Sequence, residues 1–213
     1  MPLTFIHGTM NSGKSAQLLC KLYHDRRNGK RCFTMKPGID TRDGTGIIHT
    51  RIDGLSTVAD FTFEPSIRLD LEASHVQNPF DYLYVDECQF MTIVQAEELV
   101  RFGIAHDNVQ IYCYGLLSDF QPKLFGASRI LLLWADRVVE IESKCVYCDR
   151  NAKFNLKLQA DSSVTNEIDL GSEDKYAGVC KHCFNEIRSK QMPQWEKSLD
   201  FIFDFQFNEM KIN

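Results

Sequence analysis

The sequence predicts an α/β fold: a mostly parallel sheet covered by helices, followed by a small metal-dependent unit. Three observations predict it. Short apolar runs alternate with segments of helical period over residues 3–141, the pattern of a parallel sheet buried on both faces. The string GTMNSGKS at residues 8–15 fits G-x-x-x-x-G-K-[ST] and lies between an apolar run and an amphipathic segment. Two cysteine pairs of identical spacing, Cys145 with Cys148 and Cys180 with Cys183, appear only after that alternation fades.

Residues 3–6 read as a buried strand, and residues 16–27 as a helix on the spacing of Leu18, Leu19 and Leu22. Asn28 and Gly29 end it, and residues 31–35 give a second strand. Residues 36–54, rich in Gly, Asp and Thr and without period, read as loop with possible short strands. A third strand over residues 80–85 closes on Asp86 and Glu87, a helix follows over 94–102, and a fourth strand over 109–114 ends at Gly115. Residues 131–135 and 137–141 continue the alternation. The composition changes near residue 142, which divides the chain into 1–142, a metal-dependent unit over 143–192 and a tail over 193–213. In the tail Phe201, Phe203, Phe205 and Phe207 alternate like a strand and call for a surface to pack on.

Composition narrows the function. The chain has 213 residues, enough for one good core and an appendage but not for two large domains. With 24 Lys+Arg against 29 Asp+Glu the net charge is -5, so no global basic field draws a polyanion, and neither nucleic acid nor membrane is expected as a partner. No apolar run approaches the roughly 20 residues that cross a bilayer, and the first residues do not read as a signal peptide. The expected compartment is the cytosol. Cys20, Cys32, Cys88 and Cys113, scattered through apolar or mixed segments, read as small buried hydrophobes.

The motifs carry specific chemistry. In the phosphate loop Gly8, Thr9, Met10, Asn11, Ser12 and Gly13 turn backbone N–H groups toward phosphates, Lys14 reaches the outer phosphates and Ser15 ligates magnesium. ATP with magnesium is the implied cofactor. Asp86, at the end of the third strand, would hold the same magnesium through water. Glu87 would face a water molecule or a substrate hydroxyl, so on these residues an ATPase and a kinase both remain open. Cys145, Cys148, Cys180 and Cys183 supply the four thiolates of a tetrahedral zinc site.

Together with Lys36-Pro37, Asp40 to Arg42, the string DECQF at 86–90, YGLLSDF at 114–120, Phe125-Gly126 and Asp174 to Tyr176, these motifs resemble the cytosolic and bacterial type of thymidine kinase. The matches run in the family's order from residue 3 to residue 183. The resemblance implies a parallel-sheet phosphate-loop domain carrying a small zinc-binding lasso domain, whose long loop closes over the nucleoside. It implies that Glu87 is the general base for the nucleoside 5'-hydroxyl and that Arg42 meets the transferred phosphoryl group. Met10, Phe90, Leu116, Phe120 and Phe125 become the apolar walls of a nucleoside pocket, closed by Tyr176 and by the backbone around Gly171. Asn155 falls where the family usually has Thr or an apolar residue near the base methyl. Asp169 replaces a small apolar residue, and Ser172 a second lasso glycine.

The implied activity is ATP-dependent phosphorylation of thymidine, with a homotetrameric assembly and thymidine triphosphate as feedback inhibitor. The rival readings are a phosphate-loop ATPase whose zinc unit binds DNA and a nucleotide sensor without turnover. The acidic charge and the lack of a Lys/Arg stripe beside the cysteines weigh against DNA.

Overall fold

The computed structural model describes residues 3–40, 44, 46–50, 52–158 and 175–191. Six strands form one sheet in the order β5-β2-β6-β7-β1-β8, with every neighbouring pair parallel. They are β1 (Leu3–His7), β2 (Cys32–Pro37), β5 (Phe61–Phe63), β6 (Tyr82–Val85), β7 (Gln110–Gly115) and β8 (Arg137–Glu140). The helices are α1 (Lys14–Arg27), α2 (Leu71–Gln77), α3 (Ile93–Ala105) and α4 (Gly126–Trp134). The short strands β3 (Ile47–His49) and β4 (Ser56–Val58) form an antiparallel hairpin apart from the main sheet.

Alternating side chains of the central strands feed two cores. Phe5, Leu83, Val85 and Ile111 pack on one face against Leu99 and Phe102 of α3 and Leu131 of α4. Ile6, Tyr84 and Tyr114 pack on the other face with Leu18, Leu19 and Leu22 of α1. Each fully buried Leu or Phe is worth about 1.5–3 kcal/mol over its exposed state, so both faces must be covered for the sheet to persist. A polar tie fixes α1 in register: the buried Tyr84 hydroxyl donates to Asp25, and burial, then Asp25, pushes the phenol above its usual range. At the start of α3, Thr92 and Gln95 form a reciprocal capping box, and Gln95 Nε2 also donates to the carbonyls of Glu64 and Ile67.

The expected strands at 3–6, 31–35, 80–85, 109–114 and 137–141 are present with shifted ends, and residues 131–135 fall almost wholly within helix α4. Residues 36–54 contain β3, and the segment after them holds β4, β5 and α2, which the sequence reading left unassigned. Each strand there is three residues long, too short for a period to register. Cys88 and Cys113 are buried as expected and Cys32 partly so, but Cys20 is exposed on the outer face of α1.

Beyond β8 the chain forms an antiparallel pair, β9 (Phe154–Lys157) with β10 (Tyr176–Val179), and then helix α5 (Lys181–Gln191). The unit has its own small core of Leu156, Ala177, Val179 and Phe184 with two of the cysteines. It is less coreless than a purely metal-held unit. The phenylalanine stripe at residues 201–207 lies outside the described residues.

Candidate active site

All six strands of the main sheet point the same way, so their carboxyl ends share one edge, where ligands of such sheets bind. The phosphate loop leaves β1 at this edge and runs into α1. Asn11 adopts φ 63, a left-handed backbone that Asn tolerates better than most residues. Lys14 is buried, and its Nζ donates to the carbonyl of Thr9 at 2.8 Å and, at 3.4 Å, to that of Gly8. The ammonium thus rests on the loop that would present it to phosphate. Among the described residues the buried Ser12 hydroxyl has no hydrogen-bond partner.

Strand β6 ends two strands away, with β7 between it and β1, and delivers Asp86 to the start of α1. The Ser15 hydroxyl donates to both Asp86 carboxylate oxygens at 3.2 and 3.3 Å. Burial, reinforced by the charge of Glu87, pushes the Asp86 carboxyl up to about 7. Asp86 and the Ser15 hydroxyl bring hard oxygen donors together beside the phosphate loop, and this donor set fits magnesium.

Glu87 caps the short 3-10 turn Cys88–Phe90 with φ 48, a strained conformation for a residue with a side chain. Its carboxylate is held by Gln89, whose Nε2 donates to Glu87 Oε2 at 2.5 Å while its Oε1 accepts from Leu116 N–H at 3.0 Å. Gln89 therefore ties Glu87 to the end of β7. Gly115 makes room for it: a Cβ there would lie 2.6 Å from Gln89 Oε1 and 2.6 Å from Cys88 Sγ.

The proposed apolar walls stand around this edge in two ring pairs. Phe90 meets Phe125 edge-on at 6.3 Å between centroids, and Phe120 meets Tyr176 of β10 at 6.0 Å. Lys157 Nζ lies 5.3 Å from the centre of the Phe120 ring. Leu116, Phe120 and Tyr176 are buried, while Phe90, Phe125 and Met10 are half-buried. A cavity of about 480 Å³ is lined by Met10, Asn11, Tyr147, Leu158, Tyr176 and Gly178 among others, so Met10 and Tyr176 face it while the four remaining wall residues do not line it. Asn155 is buried, and its Oδ1 accepts from the backbone N–H of Met10 at 2.7 Å. Arg42, Asp169, Gly171 and Ser172 lie outside the described residues.

The four cysteines converge as their spacing predicts. Their sulfurs all lie within 4.8 Å of one another, with Cys148 to Cys180 at 3.7 Å and Cys148 to Cys183 at 3.8 Å. A tetrahedron with zinc–sulfur bonds of about 2.3 Å has edges of about 3.8 Å, so the cluster fits zinc. The N–H of Cys183, foremost among its neighbours, pulls the Cys180 thiol down to about 6, toward the thiolate a metal needs. Arg150 Nη1 adds a long contact to the same sulfur at 3.9 Å.

Sequence reasoning missed Gln89 and Ser143. Gln89 sat in plain view inside the 86–90 string, but nothing in its spacing revealed the bond to Leu116. Ser143 gave no signal, and its hydroxyl lies 2.7 Å from that of Thr9.

Fold and site together define a phosphate-loop nucleotide-binding protein, with an acidic strand end beside the loop and a four-cysteine unit packed onto it. The thymidine kinase family model matches residues 1–184. The chain is 34% identical over 188 residues to a thymidine kinase of Shewanella oneidensis, covering 87% of this chain and 97% of that one. It is 36% identical over 189 residues to the thymidine kinase of Zymomonas mobilis, covering 86% and 96%, and 35% identical over 188 residues to that of Escherichia coli O157:H7, covering 86% and 90%. The chain belongs to the thymidine kinase family.

Proposed function

We propose that the protein transfers the γ-phosphoryl group of ATP to the 5'-hydroxyl of thymidine, giving thymidine monophosphate for nucleotide salvage. The observation that carries this reading is the meeting of Glu87, anchored by Gln89, with the Ser15–Asp86 pair at one sheet edge. Loop amides from Gly8 to Gly13 and the Lys14 ammonium hold the donor phosphates. Ser15 and Asp86 hold magnesium, which when bound supplies positive charge to the donor oxygens. Glu87 takes the 5'-hydroxyl proton as that oxygen attacks phosphorus and ADP leaves. Gln89 engages one of its oxygens and so fixes the carboxylate's orientation. Arg42 would meet the phosphoryl group in flight.

Met10, Phe90, Leu116, Phe120 and Phe125 would enclose the nucleoside, with Tyr176 and Gly171 closing it and Asn155 beside Met10. Zinc would sit on Cys145, Cys148, Cys180 and Cys183. In this reading the chain divides into 1–142, a lasso unit over 143–192 and a tail over 193–213. It works in the cytosol as a homotetramer and is inhibited by thymidine triphosphate. The family match does not favour an ATPase whose zinc unit binds DNA.

The test is transfer of labelled γ-phosphate from ATP to a panel of deoxynucleosides. Label on thymidine, with purine nucleosides rejected, supports the proposal. ATP hydrolysis without labelled nucleoside would overturn it.

A further inference from the structure

Phosphate loops are ordinarily held by the strand and helix they join. Here the first half of the loop is also held from outside, by residues more than 130 positions away in sequence. Met10 N–H donates to Asn155 Oδ1 on β9 at 2.7 Å, and the hydroxyls of Thr9 and Ser143 share a hydrogen bond at 2.7 Å. Thr9 and Asn155 are each 5% exposed, so water offers little substitute for either bond. Behind them β10 backs directly onto the loop. A Cβ on Gly178, which pairs with Asn155 in the β9–β10 register, would lie 2.9 Å from Thr9 Oγ1. Gly178 in turn accepts at its carbonyl the N–H of Val146, between the first two cysteines.

The anchored residues are joined to the group that meets phosphate, because the Thr9 carbonyl accepts from Lys14 Nζ at 2.8 Å. Displacing Thr9 and Met10 displaces that oxygen and with it the resting position of the ammonium. We infer that Asn155, with Ser143, is a positioning residue for the phosphate donor: the second unit sets the geometry of the ATP site through the Met10 amide, rather than reading the base through the Asn155 side chain. This rests on the proposed kinase reading only in taking the loop as the ATP site.

The bond geometry fixes the test. Asn155→Ala removes the acceptor and takes from the Met10 amide its side-chain partner, whereas Asn155→Asp keeps a carboxylate oxygen that can still accept. Asn155→Ala should weaken ATP binding, read by calorimetry, and raise the KM for ATP by about tenfold, as expected when a loop amide loses the acceptor that positions it. Hydrogen exchange of the Met10 amide should speed up, and the ratio of thymidine to deoxyuridine turnover should hold within about twofold of wild type, because the base is not read here. Asn155→Asp should restore ATP binding and Met10 protection. Ser143→Ala, at the second tie, should move the same readouts in the same direction by a smaller factor, and it carries the test should Asn155→Ala fail to fold. Unchanged ATP binding in Asn155→Ala, or in Ser143→Ala if that variant carries the test, would overturn the inference, as would a shift in the thymidine to deoxyuridine ratio at constant KM for ATP. A wild-type protein that binds ATP but phosphorylates no nucleoside would defeat the kinase reading while leaving the calorimetric and exchange readouts to decide this one.

Discussion

The loop after β1 and the turn after β6 reach the same edge of one sheet but are held there in opposite ways. The turn is held from within the main sheet: Gln89 spans from Glu87 to the Leu116 amide, and Gly115 leaves the space it occupies. The phosphate loop is held in its first half by the second unit, through Ser143, Asn155 and the backbone at Gly178. The difference teaches that one site can have two supports with separate stabilities. Glu87 follows a strand of a sheet buried on both faces, and the phosphate loop leans on a unit whose small core includes Cys145 and Cys180.

Substitutions at the two supports should therefore fail in different ways. The largest effect is expected at Glu87. Glu87→Gln should lower kcat by about two to four orders of magnitude, the worth of a general base, while calorimetric affinities for ATP and thymidine stay near wild type. Lys14→Ala should cost about two to three orders in turnover and weaken ATP binding as well, because the ammonium meets phosphate both in the bound state and in the transition state. If steady-state kinetics and calorimetry gave these two variants the same signature, the division between acceptor and donor halves would not hold.

Gly115→Ala probes the internal support alone. Its new methyl would press on Gln89 Oε1 and Cys88 Sγ, both 2.6 Å from its ideal position. Thermal unfolding should report a loss of about 1–3 kcal/mol, the usual effect of overpacking, and kcat should fall while ATP affinity holds. The smallest effect is expected at the nucleoside wall. Deoxyuridine differs from thymidine by one methyl, so its kcat/KM should be lower by no more than about 1–3 kcal/mol in transition-state terms, a poorer substrate but not an excluded one.

Much of this was legible in the sequence for identifiable reasons. The β1–loop–α1 unit announces itself because the loop needs glycines and a lysine at fixed spacing, and β6 because its Asp86–Glu87 end, a common surface feature by itself, follows such a loop in the chain. The cysteine quartet was readable because a tetrahedral metal constrains spacing on both sides of a long insertion. Strands β3, β4 and β5 were not, since three residues carry no period, and helix α2 is only seven residues long. The external ties from Ser143 to Thr9 and from Asn155 to Met10 were illegible for another reason. A hydrogen bond between residues 134 or 145 positions apart leaves no local pattern, and its geometry exists only once the second unit has packed on the first.

Hydrogen exchange of the two loops before and after zinc is removed compares the supports most directly. As purified, the protein should carry about one zinc per chain on its four thiolates. Chelation should speed amide exchange over residues 9–12 and weaken ADP binding about tenfold, while residues 86–90 keep their protection, because a metal-dependent unit loosens when its metal leaves but a sheet core does not. Equal loss of protection in both loops, or none in either with all four thiols titrating as free, would contradict the division of supports.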